Sequence, residues 1–380
     1  MADISVDGEI RTVWAEVDDT YRDYLCHERS DAFVVGLLHW AMLHGHDIEC
    51  EAPMGEFLYY QITTELIRAL SQNSPRMHAI RIRAEVDTSD LPCAGAVGTG
   101  ISCGIDSLHV LACHTDTKLP HHQLTHLAFN NVGSHGEGER ARRLYAERRK
   151  VAEAFCREYG FQLTSVDSNL MDAFSQNHFA THSFSSAFAI FVLQKLYSVY
   201  YYASGHPLNA FSLTETDRDC SYYDLLLAEA FSTDRLKIYS EGATCSRLEK
   251  TRAVVNYTPS YKYLNVCTLS AFNCSRCEKC TRTLLALDVL GRLDDYRDVF
   301  DIDYYRTHKP HYLAMLLAMK WNHNEMYAEL YPYLRNQITP GIRARAIIRY
   351  LHVRAWNLPR RGRLYRTLKK IYRTATKKTR

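Results

Sequence analysis

From Ala94 onward, short apolar runs alternate with longer amphipathic stretches. The runs Ala94–Thr99, Thr125–Asn130, Phe161–Val166, Leu208–Thr214 and Leu236–Tyr239 have strand length, and their near-continuous apolar character suits strands covered on both faces. Between them, Asp106–His114, Arg140–Tyr159, Ser183–Tyr202, Tyr222–Phe231 and Ser246–Asn256 carry apolar residues at helical spacing. Strand and helix in alternation predict an α/β fold built on a doubly wound, mostly parallel sheet.

Upstream, the pattern predicts a small α/β N-terminal region over residues 1–91, with helices at Asp31–His44 and Glu56–Ser71 and strands at Asp47–Glu51 and His78–Val86. The alternating domain occupies 92–260. A cysteine-rich segment and helices, Thr281–Leu290 and His311–Leu334, fill 261–335, and a basic tail runs over 336–380. In that tail Leu364, Leu368, Ile371 and Tyr372 share one helical face among Arg and Lys, so it reads as a basic amphipathic helix or as a solvated, disordered charge run.

Charge changes this picture at one end only. The chain carries a net +3, but Gly341–Arg380 holds 14 Lys plus Arg and no acid, which leaves the first 340 residues at −11. Such a tail suits nucleic-acid phosphates or an anionic membrane surface. The first ten residues are acidic and lack a basic leader, and the most apolar long stretch, Phe184–Ala203, is interrupted by Gln194-Lys195. A cytoplasmic protein without a membrane span is therefore expected. Twelve cysteines in that setting point to thiols and a metal site instead of a disulfide framework.

The segment Gly98-Thr99-Gly100-Ile101-Ser102-Cys103-Gly104-Ile105-Asp106-Ser107 joins the first predicted strand to its helix. Small residues let backbone amides approach an anion, the helix start adds free N–H groups, and Ser102 and Ser107 add hydroxyls. Asp106 would repel bare phosphate, so its use is through Mg²⁺. The structural alternative is a turn of Gly and Ser with Asp106 as a helix cap.

Ser102-Cys103-Gly104-Ile105-Asp106-Ser107 resembles the S-G-G-x-D-S loop of PP-loop ATP pyrophosphatases, which have an adenine nucleotide alpha-hydrolase-like fold. The resemblance implies ATP cleavage between the α and β phosphates, with Ser102, Cys103, Gly104, Ile105, Asp106 and Ser107 binding ATP and with Asp106 and Ser107 catalytic. Cys103 departs from the family glycine, which matters if the position needs a positive φ. The thiol has two readings, a small space-filler or a reactive group at a helix N-terminus.

Cys267, Cys274, Cys277 and Cys280 form C-x6-C-x2-C-x2-C. Four thiolates at this spacing suit tetrahedral Zn²⁺ in a closed, structural site, with an iron–sulfur cluster as the alternative. The loop followed by four cysteines resembles the 7-cyano-7-deazaguanine synthase branch of the superfamily over roughly 94–290, with a different substrate expected.

Ligands of doubly wound sheets bind beyond the carboxyl ends of the strands. There, Asn130-Asn131 reads as turn chemistry. Thr214–Asp219 concentrates acids, and Asp217 is the choice for contacting substrate, against a solvated capping role. Ser246 and Glu249 fit a capping box, which leaves Arg247 and Lys250 to neutralise pyrophosphate, although exposed helix cations are common without such a duty. The resulting expectation is an ATP-dependent ligase-like or transferase enzyme. It adenylates a small-molecule substrate and then passes it to a nucleophile, giving an amide, nitrile or thio-product, with ammonia or sulfur supplied from solution or by a donor protein. The alternatives are a tRNA-modifying thiolase and a nucleotide-binding peripheral membrane or scaffold protein without turnover.

Overall fold

The computed structural model describes residues 1–136, 138–214, 216 and 218–356. The chain divides into two compact units, Met1–Ser246 and the segment from Arg247 onward.

The first unit is built around a five-stranded sheet: β1 (Ala96–Gly100), β2 (His126–Ala128), β3 (Gln162–Thr164), β4 (Tyr197–Ala203) and β5 (Lys237–Glu241). All four pairings are parallel, and the spatial order is β3-β2-β1-β4-β5. The chain therefore winds outward from β1 to β3, crosses back and winds outward again through β4 to β5. Right-handed crossovers place the intervening helices on opposite faces in the two halves. β1 is central, and the segment leaving its carboxyl end sits where the winding reverses.

Two expected elements are corrected. The periodic stretch read as a single helix over Ser183–Tyr202 is a helix, His178–Val192, followed by a turn and then β4, and Leu208–Thr214 holds a short 3-10 turn at Leu208–Ala210 instead of a strand. Tyr197-Ser-Val-Tyr-Tyr-Tyr-Ala is aromatic and β-branched, suited to a pleated interior strand, but most of it is buried on both faces and so shows no two-residue alternation. Gly98 on β1 is the reason the rings fit: a Cβ there would lie 2.5 Å from Tyr197 Cε1 and 3.0 Å from Tyr200 Cδ2.

The N-terminal region belongs to this unit. Helix Asp31–His44, buried along most of its length, packs on His178–Val192, and Gly45 ends it in the left-handed conformation, donating to Ala41. Ala2–Val6 and Glu9–Val13 form an antiparallel hairpin across Asp7-Gly8, both at positive φ, and Ala15–Val17 pairs with Val166–Ser168.

In the second unit, helix Glu278–Val289 packs on helices Arg247–Val254 and Ile302–Trp321, and Pro340–Trp356 packs along Ile302–Trp321, burying Ile342 and Ala346. The tail's Leu364, Leu368, Ile371 and Tyr372 lie outside the described residues. Among the described residues no helix is long and apolar enough to cross a membrane.

Candidate functional site

The segment Ile101–Gly104 leaves β1 and enters helix Ile105–His114 at the reversal point of the sheet. Ile101 N donates to Ala128 O at 2.9 Å, which keeps the chain paired to the β2 side for one more residue. Cys103 then takes φ = +56°, the left-handed region, and Gly104 takes the extended helix-cap conformation. The loop thus adopts the positive φ that favours glycine at the position where Cys stands. The Cys103 side chain is buried, and burial, with Cys156 nearby, pushes the thiol up to about 12. It fills space as a protonated thiol, and the reactive reading is not favoured.

The hydroxyls of the loop form a closed ring. Gly104 N donates to Ser102 Oγ at 3.3 Å, Ser102 and Ser107 Oγ lie 3.2 Å apart, and Ser107 Oγ donates to Gly104 O at 3.2 Å. These are long for hydroxyl bonds, whose usual length is near 2.8 Å, so a stronger acceptor can displace them at small cost. Ser102 is exposed and Ser107 buried. Gly104 stands at the cap position and Asp106 in the first turn of the helix.

The acidic segment lies farther from its strand than expected, because β4 ends at Ala203. Glu215 and Asp217 lie outside the described residues. Thr216 O accepts from Tyr223 Oη at 3.0 Å and lies 3.0 Å from His39 Nε2, which ties the segment to the core. Asp219 accepts from Ser221 N at 3.0 Å and sits 3.6 Å from His182 Nε2. His182 Nδ1 lies 2.7 Å from Tyr202 Oη at the carboxyl end of β4, and Tyr202 also receives Ser183 Oγ at 3.0 Å.

Burial disfavours the charged His182 ring, but Tyr202, Cys220 and the Asp219 carboxylate outweigh it and hold the group well above its ordinary pKa. Burial likewise opposes the Asp219 charge, yet hydrogen bonds from His182 and Ser221 bring it down to about 2. This His–Asp–Tyr group was not anticipated because Tyr202 was placed at the far end of a helix, Ser183–Tyr202, that begins beside His182, whereas it lies on β4.

Asn130 Oδ1 accepts from Val166 N at 3.0 Å and Asn131 Nδ2 donates to Asp167 Oδ1 at 2.8 Å, so both side chains bond the segment that follows β3. Arg247 and Lys250 belong to the second unit. Lys250 is only 2% exposed, so it is not the surface cation the sequence suggested, since its side of helix Arg247–Val254, with Leu248, Thr251 and Val254, is an inner one.

Cys267, Cys274, Cys277 and Cys280 come together, with all four Sγ within 4.8 Å of one another. Cys267 to Cys277 and Cys274 to Cys280 are each 4.0 Å. Sulfurs about 2.3 Å from a tetrahedral ion stand about 3.8 Å apart, so the group is able to hold a metal ion. Cys277 N donates to Cys274 Sγ at 3.2 Å and Cys280 N to Cys277 Sγ at 3.5 Å, a knuckle that aims sulfurs inward. Ser275 makes its turn at φ = +57°, and its carbonyl accepts from Tyr312 Oη. Burial raises the Cys267 thiol, but the N–H groups of Leu269, Cys274 and Ser270 outweigh it and bring it down to about 6, toward the thiolate a metal requires.

No protein-family model, curated protein or solved structure matches this chain.

Proposed function

We propose that the chain binds ATP at Ser102–Ser107 and adenylates a substrate oxygen, releasing pyrophosphate. The observation that carries this reading is the seat of the loop: it leaves the central strand of a β3-β2-β1-β4-β5 parallel sheet at the reversal point, the position at which such sheets bind ligands. The positive φ at Cys103 gives further support, since the position at which the resembled loop carries glycine has here a backbone that favours glycine. The bond between a substrate oxygen and the α-phosphorus forms as the bond from that phosphorus to the bridging oxygen breaks. Pyrophosphate leaves with the electron pair. A nucleophile, ammonia, an amine or a sulfur donor, then displaces AMP.

In this reading Ser102 and Ser107 exchange their long mutual contacts for phosphate oxygens, and the first-turn amides of helix Ile105–His114 face the developing negative charge. Asp106 would hold the magnesium that accompanies ATP and supplies charge neutralisation. The four-cysteine metal is zinc, in a structural role. Four sulfurs within 4.8 Å of one another suit one tetrahedral ion and leave no room for several irons and sulfides between them.

The test is incubation of the purified chain with Mg-ATP and a metabolite extract. Substrate-dependent AMP and pyrophosphate are expected, and both should disappear in Asp106→Asn and Ser107→Ala. Production of ADP and phosphate alone, with or without extract, would end the adenylation reading.

A further inference from the structure

We propose a second metal site, formed by His109, Cys113 and Glu241 and suited to a borderline divalent ion such as Zn²⁺. His109 and Cys113 stand four residues apart on helix Ile105–His114, which puts both side chains on one face at neighbouring turns. Glu241 is the last residue of β5 and brings a carboxylate to the same place. His109 Nε2 lies 3.7 Å from Cys113 Sγ, and one donor atom from each of the three residues lies within 4.8 Å of the others. Nitrogen, sulfur and oxygen donors of one tetrahedral zinc ion stand about 3.2–3.8 Å apart, so the three need close by at most about 1.0–1.6 Å.

The donor chemistry selects the class of ion. One imidazole, one thiolate and one carboxylate match zinc and its transition-metal neighbours, whereas Mg²⁺ and Ca²⁺ take oxygen ligands. Once metal binding displaces the Cys113 proton, the thiolate and carboxylate together supply two negative charges, which a dication neutralises. Three protein donors also leave a fourth coordination position to water or a ligand.

Glu241 is already oriented by a second layer of contacts. His114 Nε2 lies 3.0 Å from Glu241 Oε2, the His114 ring stacks on Tyr201 at 3.8 Å between centroids, and Gly242 N donates to Glu241 Oε1 at 3.1 Å. Partners of this kind fix the direction of a ligating carboxylate. His109 is 4% exposed, so its ring is held by packing on the helix side while Cys113 opens the site to solvent. All of these residues lie within the first unit, whereas the four cysteines belong to the second.

The full chain, stripped of metal with a chelator and dialysed against Zn²⁺, is assayed by elemental analysis. About two equivalents per chain are expected, one for each site, falling to about one in Cys113→Ser and in Glu241→Gln. Glu241→Gln preserves the side-chain shape and guards against loss of fold, and Cys277→Ser removes the other equivalent so that the remaining one reports this site alone. Absence of bound metal from the Cys277→Ser chain overturns the proposal, as does an undiminished count in Cys113→Ser and Glu241→Gln. In the Cys277→Ser background, Co²⁺ binding should give thiolate-to-cobalt absorption that Cys113→Ser abolishes and that excess Mg²⁺ leaves unchanged. Failure of Cys113→Ser to remove it overturns the proposal too.

Discussion

Replacing Cys103 with glycine and with alanine gives a direct measure of the loop backbone. Cys103 sits at φ = +56° with its side chain 4% exposed. At an ordinary α or β position, glycine would be worse than alanine by two terms. It gives the unfolded chain about 0.4–1 kcal/mol more conformational freedom. It also lacks a buried Cβ worth about 0.8 kcal/mol. Glycine would then be the less stable variant by about 1.2–1.8 kcal/mol. In the left-handed region alanine instead carries about 1–2 kcal/mol of strain that glycine does not. The terms nearly cancel, so Cys103→Gly should match Cys103→Ala to within about 0.8 kcal/mol.

The assay is urea unfolding followed by hydrogen-exchange mass spectrometry of peptides spanning Ala96–His114, which reads the first unit by itself. A glycine variant less stable than alanine by more than about 1 kcal/mol would refute the positive-φ reasoning and remove a main support for the phosphate loop. The glycine variant should also retain ATP binding.

Gly98→Ala should destabilise the first unit by about 1–3 kcal/mol, because its Cβ would meet the Tyr197 and Tyr200 rings, and the same exchange assay reads it. Thr164→Val removes the 2.8 Å contact to the buried Tyr197 hydroxyl and should cost about 1–3 kcal/mol by leaving that group unsatisfied. His182 should titrate above its ordinary value by NMR, and Asp219→Asn should lower it. The sign follows from linkage: the raised histidine contributes stability present below its unfolded pKa and lost as pH rises through the folded one. Asp219, lowered to about 2, contributes stability present above its unfolded pKa and lost as pH falls toward 2. If the four cysteines hold zinc as proposed, a chelator should lower the melting temperature of the second unit, and the purified chain should be colourless, since zinc has no visible absorption.

Much of the fold was legible because long amphipathic helices and their flanking strands have distinct periods. Helix Asp31–His44 matches its predicted limits, and Ile105–His114 and Gly138–Tyr159 differ from theirs by one or two residues. The four cysteines were legible for another reason: their spacing fixes a local turn that needs no knowledge of the rest of the chain. The N-terminal hairpin was also written in Val6-Asp7-Gly8-Glu9, since Asp-Gly is the pair that tolerates positive φ twice in succession, and Ala2–Val6 before it alternates apolar and polar residues, a signal that went unread.

What was not legible depends on pairing between distant segments. β4 carries no alternation because it is an interior strand, and losing it hid the order of the sheet. Without that order nothing shows that the Ser102–Ser107 loop stands at the reversal point, or that His182, Tyr202 and Asp219 meet. The same dependence hid His109, Cys113 and Glu241. The four-residue step from His109 to Cys113 is visible in the chain, but a His and a Cys one turn apart are commonplace on helices. The step gains chemical meaning only when β5, more than 120 residues later, delivers Glu241 to the helix face. A parallel sheet gathers such groups because every strand ends on the same side. Local motifs therefore name the chemistry each segment can perform, and strand order decides which of those segments can act on one ligand.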